Sequence, residues 1–468
     1  MLTFARCLFL PAPRLPLAHQ LLCIMAGYSP KRKLFGTIKI SMMKGRQRRL
    51  EKYVKKYFQK HPEVKVVAVT GSIGKTYTKI AIATILNQRY RVRLFHGNRG
   101  TNFTTPMAIL GIDYPGDISG FRAWRAVFKA ARQRIKQPTD VDVIVVELNS
   151  AAPGSLLQYV QYFVPDISVI TAVSESNLKV FQSVDNVARE QLSVGSISRS
   201  LLVNRDDIDS KYAVYLTNPV MNTFGTGGAA EYRFSEGDFS EDKGYTGSII
   251  VPEWEEPIPV ELHTYDEFSL RQIVAACAVG VKMGLLPHEI AMGASSIRPL
   301  DGRMNPLAGV EGSLILDNTA NNSPLGGRTA LQSLYQIAAP QRIAVFGTMQ
   351  HLAQLSMAAH QELGSLCDPA QLAWVVTVGE EANRYLAPAA RGRGCQVKEC
   401  KTALEAGAFV HSVIEQDSVV LFDGPEDDIY LEEAVKIVLH SAADQEKLVR
   451  QSSEWTEKKS EIFSRFPG

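Results

Sequence analysis

The sequence predicts an α/β protein with two sheet-bearing domains, the first larger than the second. Three observations carry this expectation. The stretch VVAVTGSIGKTYT, from Val66 to Thr78, joins a β-branched run, a glycine turn and a helix start. From Lys65 onward, short apolar runs alternate with longer amphipathic ones, the pattern of a mostly parallel sheet covered by helices. At Ile297–Arg303, IRPLDGR, turn formers interrupt the alternation, and a second, shorter series follows.

In chain order, Val66, Val67 and Val69 read as a buried parallel strand that breaks at Gly71 and Gly74, and KTYTKIAIATIL opens a helix. A short strand, RVRLF, leads to a polar loop, HGNRGTNFTTP, and a basic amphipathic helix, FRAWRAVFKAARQRIK. VDVIVVELNS and DISVITAV are the next strands, then a helix near Val184–Ser196 and the strand SLLVN. Between Glu231 and Leu262 short β segments alternate with Gly, Pro and Asp turns, and FSLRQIVAACAVGVKMGL is a helix returning to the sheet. After the hinge come SLILD, a helix after Pro324, RIAVFG, a helix to Leu366, WVVTVG, another helix, SVVLFDG and a last helix from Leu431. That series is a smaller, Rossmann-like domain. The expected boundaries are 1–60 for a basic arm, 61–297 for a central domain, 298–445 for a C-terminal domain and 446–468 for a polar tail, helical or frayed.

The chain has 468 residues, 45% apolar and 21% charged, as in ordinary soluble globular proteins. A net charge of +3 is too small to mark a nucleic-acid partner. Cys7, Cys23, Cys277, Cys367, Cys395 and Cys400 form no CxxC pair and no metal-ligand spacing, which points to free thiols in a reducing compartment. No acidic residue precedes Glu51, whereas Arg6, Arg14, Lys31, Arg32, Lys33, Lys39, Lys44, Arg46, Arg48 and Arg49 all do. The apolar stretches at Leu8–Leu10 and Leu21–Met25 are too interrupted by proline and Arg14 for a spanning helix. Scarce serine argues against a transit peptide. The preferred readings are a start at Met25 or Met42, or a basic arm resting on anionic lipid. Residues 1–60 are therefore expected to be a disordered or membrane-peripheral arm outside the fold, with weak membrane-surface contact through residues 1–50.

The chemistry starts at the glycine turn. A strand, a glycine loop and a helix N-terminus present backbone N–H groups and a positive helix end to a phosphate. Lys75 adds a point charge there, and the Thr76 hydroxyl is placed to ligate Mg²⁺. Val69 stands where the first glycine of the full GxxxxGK[ST] pattern would be. The architecture is thus a central P-loop domain followed by a smaller α/β domain. Glu147 ends a strand and is a second Mg²⁺ candidate, since open α/β sheets bind ligands at strand carboxyl ends. A solvated strand-end carboxylate gives the same pattern. Asp206 and Asp207 suit a turn and helix cap as well as a metal. His96, His351 and His360 are separated and read as structural.

The ordered set TGSIGKT, GNRGTNFTTP, VVELNS, LVNRDD, DGR and DNTANNSP, with GTMQHLAQLSMAAHQELG further on, resembles the ATP-dependent Mur ligase family and, within it, the MurF group. The resemblance covers roughly residues 60–440. It implies that Gly71, Ser72, Gly74, Lys75 and Thr76 bind ATP and that Thr76 and Glu147 hold Mg²⁺. It further implies that Arg303 and Asp317 reach the nucleotide from the C-terminal domain and that Asn321 lies near the adenine. The implied reaction activates a carboxylate as an acyl phosphate, which an amine then attacks. UDP-muramyl peptide and an amino acid or dipeptide would be the substrates, in the cytoplasm.

Lys75, Glu147 and Asn177 are the candidate catalytic positions. Asn177 stands where the family has a histidine that helps place a second metal. Gln191 stands where many members carbamylate a lysine, so a second Mg²⁺ is expected to bind weakly there. Glu175 and Glu190 are the candidates for a relocated ligand. Asp423-Gly424-Pro425 replaces a Lys-Gly-Ser, and about sixty mostly basic residues stand where the family holds its UDP-sugar domain. Family members without that domain act on other acids, as poly-γ-glutamate and cyanophycin synthetases do. The related MurT subunit has a cysteine-rich zinc insert that this chain lacks. A nucleotide-binding scaffold without catalysis is the remaining alternative.

Overall fold

The computed structural model describes residues 30–94, 103–114, 120–235, 237–240 and 243–464, with side chains from residue 42. Most of the expected polar loop after RVRLF, residues 96–102 with His96, and residues 1–29 with Cys7 and Cys23 lie outside the described residues.

Ten strands form the first sheet: β1 Lys65–Thr70, β2 Val92–Leu94, β3 Val143–Glu147, β4 Ile167–Ile170, β5 Ser200–Asn204, β6 Met221–Gly225, β7 Tyr232–Ser235, β8 Phe239–Ser240, β9 Gly244–Ile250 and β10 Ile258–Leu262. Their order is β10-β9-β7-β6-β5-β4-β1-β3-β2, with β8 on β9. Pairing is parallel from β2 to β7 and antiparallel at β9 and β10, so the glycine loop leaves the middle of the sheet. Strand β1 is apolar throughout because both of its faces are covered. Val66 and Ala68 join a core with the Thr104–Leu110, Phe121–Lys136 and Val184–Leu192 helices. Val67 and Val69 join another with the Lys75–Leu86, Glu267–Lys282 and Pro287–Ser296 helices.

A second sheet holds β11 Asn305–Ala308, β12 Leu314–Asn318, β13 Arg342–Gly347, β14 Trp374–Val378, β15 Val397–Cys400 and β16 Val419–Asp423, in the order β11-β12-β16-β13-β14-β15. It too is mostly parallel and is covered on both faces. The mostly parallel sheet followed by a smaller doubly wound one is the expected architecture.

Two segments differ from expectation. Residues 30–60, expected as an arm outside the fold, form the Pro30–Lys60 helix. Leu50, Val54 and Tyr57 recur at helical spacing on its inner side, are fully buried, and pack into the first core. The Tyr57 hydroxyl lies 3.2 Å from Thr139 Oγ1. From residue 42 this helix belongs to the packed body, which corrects the boundary at residue 61. The sequence reading also passed over β15 and the Ala403–Val413 helix. VKEC is an edge strand with one neighbour, so it carries charge and lacks the apolar signature of the inner strands. The polar tail, expected as helical or frayed, forms the Ser453–Phe463 helix and is tied down ionically. Buried Glu432 pairs with Arg450 at 2.6 Å and with Lys459 at 2.7 Å.

Candidate active site

The glycine loop is fixed by its backbone. Gly71 adopts φ 135°, and a Cβ there would lie 2.1 Å from Thr171 Oγ1. Gly74 is left-handed at φ 82° and caps the Lys75–Leu86 helix; a Cβ there would lie 2.3 Å from Gln272 Nε2. Only glycine fits either place. The Ser72 amide donates to the Ala172 carbonyl, and its hydroxyl donates to Ser174 O and accepts from Ser174 N. Thr171 Oγ1 donates to Ile73 O at 2.5 Å and lies 3.1 Å from Thr70 O. Gln191, 4% exposed, accepts the Thr70 hydroxyl at 2.6 Å and the Gly71 amide at 3.0 Å through its carbonyl oxygen. That oxygen, expected to offer a weak second Mg²⁺ contact, is instead the anchor of the loop. Glu190 is engaged as well, accepting the Gly154 amide through Oε2 and the Leu156 amide through Oε1.

Around the loop the charges converge. Lys75 Nζ donates to Gly71 O at 2.8 Å and Ser72 O at 3.3 Å. Burial lowers the Lys75 pKa, Glu147 opposes that shift, and Arg303 adds to it. Because β3 pairs with β1 so that Glu147 faces Val69, the strand-end carboxylate reaches the helix start. Thr76 Oγ1 donates to Glu147 Oε2 at 3.1 Å, and Lys79 Nζ lies 3.6 Å from the same oxygen. Lys79 is buried, and that burial lowers its pKa against the pull of Glu147.

Beyond the loop lies a cavity of about 410 Å³ between the two sheets' units. Ser72, Gly74, Lys75, Thr76 and Glu147 line one wall; Arg303, Asn321 and Glu426 line the other. Arg303 is half-buried, and desolvation lowers its pKa, while Glu147 and Glu426 oppose the shift. The units also meet beside the cavity. Gln336 accepts from the Tyr245 hydroxyl at 3.1 Å and donates to Glu267 at 3.1 Å. The Leu178 amide donates to His351 O, and Ala353 and Leu355 pack against the first core.

Other expected positions lie elsewhere. Asp317 is fully buried and does not line the cavity, which corrects its expected reach to the nucleotide. It accepts the Gly302 amide at 3.1 Å, the Thr319 amide at 3.1 Å and the Thr319 hydroxyl at 2.6 Å, bracing the hinge beneath Arg303. Burial pushes its pKa up to about 6. Asn177 is left-handed at φ 48°, caps the Leu178–Phe181 turn at the seam facing His351, and does not line the cavity. Asp206 and Asp207 hold Arg271 at 3.2 and 3.0 Å, a structural cluster. His360 accepts the Met349 amide through Nε2. The sequence reading missed Lys79, whose signal was its place one helical turn after Lys75 on the same face. It also missed Asp266 and Gln272, which line the cavity with Asp266 Oδ2 and Gln272 Oε1 unpartnered. No pattern in the sequence marks those two.

Fold and site together define an α/β protein whose glycine loop presents an anion cradle to a cavity closed by a second α/β unit. The Mur ligase middle domain matches residues 69–280, and the Mur ligase glutamate ligase domain matches residues 302–425. The chain belongs to the Mur ligase family. It is 24% identical over 406 residues to the UDP-N-acetylmuramoyl-tripeptide–D-alanyl-D-alanine ligase of Bacillus subtilis, covering 84% of this chain and 79% of that protein. The Escherichia coli ligase of that name is 23% identical, covering 68% of this chain and 65% of its own length. Among solved structures, MurF from Acinetobacter baumannii has a TM-score of 0.68 at 20% identity, covering 85% of this chain and 79% of that one. The MurF ligase from Thermotoga maritima, in complex with ADP, has a TM-score of 0.67 at 20% identity, covering 83% and 82%.

Proposed function

We propose that the protein is an ATP-dependent ligase that forms an amide bond through an acyl phosphate. Its substrates would be a UDP-muramyl peptide and an amino acid or dipeptide, in the cytoplasm. The observation that carries this reading is the cluster at the helix start: Thr76 and Glu147 at 3.1 Å, Lys75 over the loop, and Arg303 entering the same cavity from the other unit. Phosphoryl transfer asks a protein for positioning and positive charge more than for covalent help. The loop amides and Lys75 would hold the phosphates, and Arg303 would face the transferring group from the opposite wall.

Thr76 and Glu147 would hold Mg²⁺. Both donors are oxygens, the hard set this ion takes, with other positions left to phosphate and water. When bound, the ion neutralises charge on the phosphate oxygens. An oxygen of the substrate carboxylate attacks the γ-phosphorus, and the bond to the ADP oxygen breaks. The amine nitrogen then attacks the acyl carbon, phosphate leaves, and nitrogen gives up a proton. Closure of the second unit over the cavity keeps water from the acyl phosphate. With Gln191 committed to the loop, the reaction proceeds without a carbamate and so without need of bicarbonate.

Phosphate release measured against UDP-muramyl peptides, glutamate and aspartate, each with and without amino acids and dipeptides, tests the proposal. Release that needs both a UDP-muramyl tripeptide and D-alanyl-D-alanine is the expected result. Release with glutamate or aspartate alone would move the enzyme to another substrate class. No release with any pair would leave a scaffold.

A further inference from the structure

The Pro30–Lys60 and Phe121–Lys136 helices pack side by side in the core on one face of the sheet, and the helices that frame the cavity pack on the other. Between the two outer helices runs a groove of about 370 Å³, none of whose residues lines the cavity. Its floor is aromatic: Trp124 and Phe128 are 2% and 8% exposed. Its rim is cationic. Arg46 lies 5.2 Å over the Trp124 ring and Arg49 lies 4.3 Å over Phe128. From the other helix, Arg125 and Arg132 stand at the spacing that puts them on the groove side with Phe121 and Phe128. Two apolar side chains project outward here, Phe121 at 76% exposed and Met42 at 53%.

The charge of these two helices is out of proportion to the rest of the chain. Met42–Lys60 and Phe121–Lys136 hold fourteen basic residues and one acidic residue, Glu51, a net of +13 against +3 for the whole chain. The remainder is net acidic. Arg122, Arg125, Lys129 and Arg132 are exposed, and none forms an ion pair with a described residue. By contrast, Arg134 on the same helix is held by Asp140 at 2.7 Å.

We propose that this face docks the protein on an anionic lipid bilayer. Arg122, Arg125, Lys129 and Arg132, without an ion pair to a described residue, and the protruding Phe121 and Met42 match a surface of phosphate headgroups over acyl chains. The cations gain from the surface potential, and Phe121 and Met42 gain by leaving water. Nucleic acid answers the charge but gives a protruding Phe and Met no apolar interior to enter. The sequence just upstream, KRKLFGTIKI, continues the same mixture of basic and apolar residues without an acid.

The test is co-sedimentation of the full-length chain with vesicles of phosphatidylcholine alone or mixed with phosphatidylglycerol. The protein binds the mixed vesicles only, and added salt releases it. Arg125→Glu/Arg132→Glu lowers partitioning by at least roughly thirtyfold, the loss of two cations alone at such a surface. Arg122→Glu/Lys129→Glu acts alike as an independent pair, and Phe121→Ser lowers partitioning by about tenfold. Each variant keeps its thermal midpoint and its ATP turnover in solution. Mixed-vesicle binding that survives both charge pairs would overturn the proposal. So would absent vesicle binding with tight, arginine-dependent binding of a single-stranded oligonucleotide, which would make the face a nucleic-acid surface.

Discussion

The two walls of the cavity are built on different principles. The central wall is backbone: Gly71 and Gly74 admit no Cβ, and the loop around them is pinned by Ser72, Thr171, Ser174 and Gln191. The facing wall is side chain: Arg303, Asn321 and Glu426 reach across from a unit that meets the first at Gln336 and His351. A wall held from within is set before any ligand arrives, whereas the other depends on how the units meet. Variants on the first wall should therefore act on the chemistry itself, and variants on the second should act through closure.

The largest expected effect is at Lys75. Lys75→Ala lowers ATP-dependent phosphate release by roughly a thousandfold, because the cradle loses its charge where negative charge is being transferred. Its thermal unfolding stays near wild type. Near-normal turnover by a folded variant would remove the loop from the chemistry. Arg303→Ala comes next, at roughly a hundredfold in kcat with nucleotide affinity little changed, since the guanidinium acts only when both walls face the ligand. An equal loss in nucleotide affinity would instead make it a ground-state ligand.

A third prediction concerns stability on the second wall. Asp423 is fully buried, bonded to Asn318 at 2.7 Å through Oδ1, with Oδ2 unpartnered, and burial pushes its pKa up to about 7. Between about pH 4 and 7 the folded chain keeps a proton that the unfolded chain has released. This group's contribution to stability therefore falls as pH rises through that window and is flat above it. Asp423→Asn removes that slope, so relative to wild type it is more stable by ~1–3 kcal/mol above pH 7 and unchanged near pH 4. Denaturant unfolding across this range reads the difference directly. The smallest effect is at Asn321, where Asn321→Ala raises KM for ATP several-fold and leaves kcat alone, the mark of uniform binding. A fall in kcat instead would place the residue at the reacting phosphate.

The same contrast explains what was legible in the sequence. Strands β1, β3 and β4 announce themselves because a strand buried on both faces must be apolar throughout, and the loop because its conformation demands glycine. The Lys75–Leu86 and Phe121–Lys136 helices match their patterns end to end. The Pro30–Lys60 helix was hidden because three inward positions, Leu50, Val54 and Tyr57, stand among many cations. At the site, the glycine-loop pattern singled out Thr76 and the strand end singled out Glu147, and the structure sets the two 3.1 Å apart, whereas Asp317 was placed on the ligand when it braces Gly302. Gln191 was read as a weak metal contact because a family position says what a residue replaces and not which donors it will meet. Gln272 and Asp266, on the central unit's Glu267–Lys282 helix and its cap, follow no compositional rule and so left no trace.

The central claim is that the cavity joins a carboxylate to an amine by way of an acyl phosphate. Its most direct test follows oxygen-18 from the substrate carboxylate during turnover with ATP, UDP-muramyl tripeptide and D-alanyl-D-alanine. Attack of that oxygen on the γ-phosphorus, followed by departure of phosphate, carries one labelled atom into each phosphate released. Label appearing in phosphate in step with amide formation is the predicted result. Phosphate released without label, or ATP hydrolysis with no amide formed, would contradict it.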